Sequence, residues 1–320
     1  VKTKVFCPGE LLIDFICTDV NQTLQEGEHF IKKAGGAPAN VAVAVSKLGG
    51  QAQFAGCVGE DAFGDFLRET LEREQVDCSY LVHSQSHSTT LAFVSLAEDG
   101  QRDFSFVRGA DQFLELTKPM LKQVGQSKIA HFGSATGFMG DPLEATYRTL
   151  MSEAKKEGVL VSFDPNYRDA LFENQKDLFT EKVLGCLKLA DLVKVSDEEL
   201  IFLTGKEELE VGIETLMAHG AQHIVVTLGK KGVLYATVKG LLKVASPLIK
   251  AVDTTGAGDA FVGGLLHQLA EEHNPKEVLD DMNKMKKALE FATAVGAAAC
   301  LKHGAIKSLP TKNEVLELLR

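Results

Sequence analysis

Asp253-Thr254-Thr255-Gly256-Ala257-Gly258-Asp259-Ala260-Phe261-Val262-Gly263-Gly264-Leu265-Leu266 decides how this chain is read. The stretch follows a β-rich segment expected to end near Val252 and runs into an apolar, Ala/Gly/Leu-rich pattern that predicts a helix. A Gly-Ala-Gly turn at a helix start leaves backbone N–H groups ahead of the helical ladder, all pointing one way. With the positive end of the helix dipole they form an anion site. Glycine lets a ligand reach backbone that a side chain would shield. Asp259 falls in the first helical turn, beside that site. A cradle of Gly256, Ala257 and Gly258 next to a carboxylate base suits phosphoryl transfer to a hydroxyl. In such a reaction the N–H groups of Ala257, Gly258 and Asp259 would hold charge on the moving group, and Asp259 would accept the hydroxyl proton. Read without its surroundings, the same Asp is a favourable charge at a helix end, worth about 0.3–1 kcal/mol.

A second informative string is Ala34-Gly35-Gly36-Ala37-Pro38-Ala39-Asn40-Val41-Ala42-Val43-Ala44-Val45-Ser46-Lys47-Leu48-Gly49-Gly50. The glycine pair permits a tight turn, Pro38 suits the first turn of a helix, and Gly49-Gly50 ends it. Asn40 is the polar exception near the helix start, either a structural amide or a ligand contact.

The 320 residues suit one large α/β domain or two modest ones, and 45% apolar with 24% charged residues is ordinary for a globular protein. A net charge of −10 argues against a nucleic-acid surface but leaves room for a local anion cradle. The longest nearly apolar run, Phe291 to Leu301, is too short to span a bilayer. The chain enters an apolar strand without a basic-then-apolar leader pattern, so a cytoplasmic protein is expected. Cysteines at 7, 17, 57, 78, 186 and 300 form no Cys-x-x-Cys pair and read as reduced thiols.

Lys4–Cys7 and Leu11–Ile16 read as a first strand and its continuation, interrupted by Pro8-Gly9-Glu10. The Gly-x-Gly-x-x-Gly of a dinucleotide site is missing there, and no Gly-x-x-x-x-Gly-Lys-Ser/Thr occurs anywhere. Asp61 and Asp65 open a helix as solvated acids. His83 with His87, and His219 with His223, have metal-ligand spacing but do not share a helix face. Alternation in Thr89–Leu96 and Arg102–Arg108 around Glu98-Asp99-Gly100-Gln101 predicts a hairpin. Strands follow at Lys128–Gly133, Val159–Asp164, Asp191–Ser196 and His223–Tyr235, the last interrupted by a glycine-bounded turn. Helices alternate with them, at Asp141–Glu157, from Asp197, and near 275–289 and 290–301.

The two strings resemble the signatures of the PfkB, or ribokinase-like, carbohydrate kinases, and the resemblance covers nearly the whole chain. It implies a three-layer α/β/α fold with a largely parallel central sheet and a small β-sheet lid. The chain would be one domain over 1–320, with lid segments near 15–33 and 88–110. It implies MgATP-dependent phosphorylation of a sugar hydroxyl. Sugar would be held by Asp14, Gly35, Gly36 and Asn40, with Phe106, Arg108 and Arg168 from the lid and a strand end. The nucleotide would lie along Lys194, Ser196, Thr227, Gly229, Gly232, Gly256 and Gly258. The family's Asn-x-x-Glu motif falls on Ser196 and Glu199. Ser replaces Asn, which leaves Glu199 to place Mg²⁺ through water and puts a direct contact by residue 196 in doubt. Some relatives bind a monovalent cation such as K⁺ near the positions of Asp253 and Thr255 and the Lys302–Ala305 turn. Homodimers through the lid also occur in the family. Gly9–Phe15, Gly35–Ala44 and Lys194–Glu199 are most similar to the fructokinases, with 2-dehydro-3-deoxygluconokinase and then ribokinase as competing readings. A catalytically silent sugar-binding relative is the reading from another class; the presence of Asp259 with its cradle argues against it.

Overall fold

The computed structural model describes residues 5–96 and 102–320; Lys4 and the expected turn Glu98–Gln101 lie outside them. Strand β1 (Val5–Pro8) shows the plan of the centre: Val5 and Cys7 enter one hydrophobic core and Phe6 the other. A strand buried on both faces belongs between two helical layers. β1 pairs in parallel with β4 (Ala52–Gly59) on one side and β8 (Ile129–Phe132) on the other. β5 (Asp77–Ser84) continues outward from β4. Beyond β8 come β9 (Leu160–Phe163), β10 (Leu192–Ser196) and β11 (His223–Thr227), all parallel. β12 (Val233–Thr237) and β13 (Gly240–Val244) complete nine strands as antiparallel neighbours. The chain therefore leaves β1 in both directions. The crevice at the carboxyl ends of β1 and β8 is the switch point where open α/β sheets bind ligands.

One core holds α1 (Ala37–Lys47), α2 (Ala62–Arg73), α8 (Ala257–Glu271), α9 (Pro275–Leu279), α10 (Met282–Ala299) and α11 (Lys312–Leu318). The other holds α3 (Lys118–Gln126), α4 (Leu143–Lys156), α5 (Lys176–Cys186), α6 (Asp197–Thr204) and α7 (Leu209–Ala218). The two signature helices pack on each other through small residues. A Cβ on Gly263 would fall 2.4 Å from the Ala44 Cβ; on the neighbouring face of α8, one on Gly264 would fall 2.8 Å from the Val295 side chain of α10.

A separate four-stranded sheet has the order β3 (Phe30–Gly35), β2 (Leu12–Cys17), β6 (Leu91–Leu96), β7 (Arg102–Val107). Its register aligns Lys33, Asp14, Ala92 and Phe106 across one face, with Ile31, Ile16, Val94 and Phe104 two residues further out. The opposite face packs on α2, with Phe15 edge-on to Phe63 and the Lys32 ammonium 3.7 Å above the Phe66 ring.

Three expectations need correction. Leu11–Ile16 does not continue the first strand but belongs to the other sheet. Pro8 ends β1, and Gly9, at φ 144°, turns the chain out of the central layer. The β-rich segment before the signature ends at Val244 rather than Val252, because the Val252 and Asp253 N–H groups bond to the Cys300 carbonyl at the end of α10. The helices after α8 divide at Asp280-Asp281, not near 289. Asp281 accepts from the Asn283 and Lys284 N–H groups and starts one continuous helix. β5 went unread because polar residues interrupt it at the sheet edge.

The close approach of α8 to α1 yields a prediction. Gly263→Val should destabilise the fold by about 1–3 kcal/mol through overpacking. It should also lower turnover by displacing the helix that carries Asp259. A denaturation midpoint and turnover number both equal to the parent's would refute this account of the helix pair.

Candidate active site

α8 begins at Gly256, whose φ of 75° is left-handed and whose Cβ, if present, would crowd Ala305 at 3.2 Å. The Ala260 N–H is the first to close a helical bond, onto the Gly256 carbonyl. The Ala257 N–H turns back on the Thr254 carbonyl at 3.2 Å. The N–H groups of Gly258 and Asp259 lie ahead of the ladder. Beside Gly258 the nearest group to a Cβ position is the Lys194 ammonium, at 3.8 Å, so a cation faces the glycine backbone.

Asp259 is fixed from the other half of the chain. Its Oδ2 accepts from the Asn40 Nδ2 at 2.8 Å. Asn40 is one turn into α1 and only 6% exposed; its Oδ1 is buried and has no partner among the described residues. Burial pushes the Asp259 carboxyl up to about 6, against the Asn40 bond and the Arg168 charge, while Asp164 adds to the rise. Burial likewise pushes Asp14 up to about 6, opposed by Arg168 and Lys33 and reinforced by Asp259. The two carboxylates, each partly buried, thus act on each other across one pocket. A Cβ on Gly35 would lie 2.0 Å from the Asp14 Oδ2, so the carboxylate rests directly on that glycine. Gly36, at φ 113°, meets the Glu10 carbonyl where its Cβ would be.

The strand ends opposite α8 carry a second charged group. Lys194 pairs with Asp164 at 3.0 Å and lies 3.8 Å from Glu199. Burial alone would push its ammonium down, but these carboxylates outweigh that and hold it above its ordinary value. Glu199 closes a capping box with Ser196, accepting from the Ser196 N–H at 2.8 Å, and its other oxygen accepts from the Tyr167 N–H at 2.9 Å. Asp164 also accepts from the Asn166 N–H, and the Asn166 amide donates to the Gly133 carbonyl, tying the ends of β8 and β9. Asp164 completes the apolar run of β9 in the sequence, a signal that was visible without being assigned a role.

Other expected contacts lie as follows. Thr227 ends β11 beside Ser196 in register, and Gly229 and Gly232 turn the chain at φ 54° and 98°. Phe106 stacks on Phe104 on the Asp14 face of the small sheet. Arg168 is exposed, donates to the Tyr167 carbonyl, and acts on both Asp14 and Asp259. Arg108 is held at 3.4 Å from buried Asp111 and donates to the Met139 and Thr136 carbonyls, so each of its three nitrogens is engaged by the protein itself. Asp253 accepts from the Thr255 and Gly304 N–H groups, joining the signature loop to the turn after α10. No group of three or more His, Cys, Asp or Glu residues among the described ones is arranged to hold a metal ion by itself.

A sequence profile described as "pfkB family carbohydrate kinase" matches residues 2–312. Probable fructokinase-2 of Arabidopsis thaliana is 39% identical, covering 100% of this chain and 96% of its own. The structure of a fructokinase from Xylella fastidiosa with bound ATP superimposes with a TM-score of 0.88 at 34% identity, covering 100% of this chain and 98% of that one. A double mutant of the fructokinase from Vibrio cholerae O395, solved with fructose, ADP and potassium ion, gives 0.85 at 34% identity, with 99% and 98% covered.

Because Asp14 lies against Gly35, Gly35→Ala should push that carboxylate aside and raise the KM for the acceptor by about tenfold or more, with the KM for the nucleotide little changed. Equal acceptor KM values for parent and variant would remove Asp14 from the acceptor side.

Proposed function

The chain belongs to the pfkB family of carbohydrate kinases, and from that premise we propose that it phosphorylates D-fructose with ATP, giving D-fructose 6-phosphate and ADP. The observation that carries the reading is the Asn40–Asp259 bond, which joins the sugar-side turn to the phosphate-side helix and aims one carboxylate at both. Fructose lies between Asp14, Gly35, Gly36 and Asn40, with Phe106 and Arg168 at its margin. The buried Asn40 Oδ1, unpaired among the described residues, suits a sugar hydroxyl donor. ATP lies with its base near Thr227, Gly229 and Gly232 and its phosphates over Gly256–Asp259, next to Lys194 and Ser196.

With its Oδ2 held by Asn40, Asp259 takes the proton of the attacking hydroxyl. That oxygen bonds to the γ-phosphorus as the bond to the bridging oxygen of ADP breaks. The Gly258 and Asp259 N–H groups hold the charge on the moving phosphoryl group. The Ala257 N–H joins them once freed from Thr254, and Lys194 adds its positive charge. Mg²⁺ commonly binds phosphates, waters and one or two carboxylates, a set that Glu199 and Asp164 fit, and it would neutralise phosphate charge there. Asp253 and Thr255 are the proposed anchor of a monovalent cation, a reading supported by the potassium ion in the matched Vibrio cholerae structure. Among the described residues no helix is long and apolar enough to cross a membrane, and all six cysteines are free, which supports action in the reducing cytoplasm.

The first test is ADP release from MgATP with fructose, 2-dehydro-3-deoxygluconate, ribose, tagatose and adenosine, in K⁺ and in Na⁺ buffers. Fructose should lead in kcat/KM by about tenfold or more, a margin that a few well-placed polar contacts supply. A lead for the keto acid would overturn the fructose assignment. The second test concerns the base. Asp259 must be ionised to act, so kcat/KM should fall about tenfold per pH unit below a pH of about 6, the value to which burial raises it. Asp259→Asn keeps an acceptor for Asn40 and should lose about 10²–10⁴ in kcat. A variant turning over at the parent rate would refute the base assignment.

A further inference from the structure

Glu10 is a carboxylate that the proposed chemistry does not use, yet it is 1% exposed. It lies in the crossover between β1 and β2, where the chain changes sheets. Its Oε1 accepts from the Ala37 N–H at 3.1 Å and the Ala135 N–H at 3.2 Å. Its Oε2 takes a short hydrogen bond from the Ser134 hydroxyl. Three segments distant in sequence therefore meet on one side chain: the crossover, the first residue of α1, and the loop after β8.

Each partner leads to the acceptor pocket. The N-cap of α1 is Gly36, which has no side chain to bond the helix's first N–H groups, and Glu10 supplies that acceptor from outside. Gly35 and Asn40 flank the same turn, and Asp14 lies on Gly35. On the other side, the Ser134–Thr136 loop offers the Thr136 carbonyl to Arg108 at the root of β7. The fit is close: a Cβ on Gly9 would collide with Pro38 at 2.7 Å and Ser134 at 2.8 Å, so the crossover is pressed into both neighbours.

We propose that Glu10 is a positioning residue for the acceptor subsite. By holding the start of α1 and the 134–136 loop against the β1–β2 crossover, it sets the spacing between Asp14 and Asn40 without touching the sugar. The role is one of hydrogen-bond acceptance and shape. Burial pushes the carboxyl up to about 7, so a neutral side chain of the same outline suits the site. A glutamine can accept from Ala37 and Ala135 and donate to the Ser134 hydroxyl, which then turns its own proton to Thr136, 3.4 Å away.

The inference rests on the sugar-kinase reading, and one readout does not depend on activity. Glu10→Ala should raise the fructose KM by about tenfold, with the ATP KM changed by less than about twofold, because two buried N–H donors lose their acceptor. Glu10→Gln should restore the fructose KM to within about threefold of the parent. Ser134→Ala, a milder change in case the alanine variant does not fold, should raise it by about threefold. In hydrogen exchange, the Ala37 and Ala135 amides should exchange faster in Glu10→Ala than in Glu10→Gln, with the Gly258 and Asp259 amides unaffected. Unchanged exchange at Ala37 and Ala135 would overturn the proposal whatever the substrate proves to be. So would a fructose KM that does not move, or a glutamine variant as impaired as alanine. Parent protein inactive on every sugar would instead overturn the kinase reading and leave the exchange result to decide on Glu10.

Discussion

The site depends on one hydrogen bond between residues 219 positions apart, from the Asn40 amide to the Asp259 carboxylate. Neither residue can be placed without its helix, and neither helix without the other. α1 and α8 lie this close because Gly263 has no side chain to meet Ala44, while Gly264 does the same for α8 against Val295 of α10. The bond also has a chemical consequence. A carboxylate out of water would rather be neutral, and a donor that cannot be deprotonated keeps one of its oxygens an acceptor. The other oxygen is then the one left open to take up a proton.

Around that bond the charges are sorted by position. Asp14 and Asp259, each partly buried, act on each other across one pocket, eased by Arg168 at its edge and by Lys33 on the neighbouring strand. Lys194 stands between Asp164 and Glu199 at the ends of parallel strands, facing the glycine backbone of α8. A buried ion pair of this kind adds little net stability, since desolvation offsets the attraction. Its effect is to keep an ammonium charged beside the glycine backbone at the start of α8. This is how a chain with ten excess negative charges offers a positive site: the cradle is local.

The first passage of the chain from the large sheet to the small one is sharp. β1 ends at Pro8, Gly9 takes a left-handed turn, and Glu10 bonds inward. The chain then contributes Asp14 to a second sheet, whose inner face also presents Phe106. The sheet switch, the turn before α1 and the loop after β8 are one packed unit, so the acceptor side of the site is built where three connections cross.

Much of this was legible from local patterns. The Gly-Ala-Gly-Asp helix start, the Gly35-Gly36 turn before Asn40 and the alternating strands need only near neighbours to declare themselves, because caps, glycine turns and strand periodicity are short-range effects. What the chain does with its polar groups at long range was not legible. Arg108 looked available for substrate, but Asp111 and two carbonyls hold it. Glu199, expected to place a metal ion, caps α6 as acids at a helix start do, and its bond to Tyr167 across 32 residues had no local sign. Asp164 and Glu10 gave no local sign of their partners. Sequence by itself determined the alternation of strand and helix, the two glycine-rich helix starts and the place of Asp259 in the first turn of the second, since these rest on covalent neighbours and backbone geometry. Only the tertiary structure decided which sheet Leu12–Cys17 would join, which buried groups would meet, and that Asn40 would hold Asp259. Those outcomes depend on burial, which is a property of the packed chain and of no segment within it.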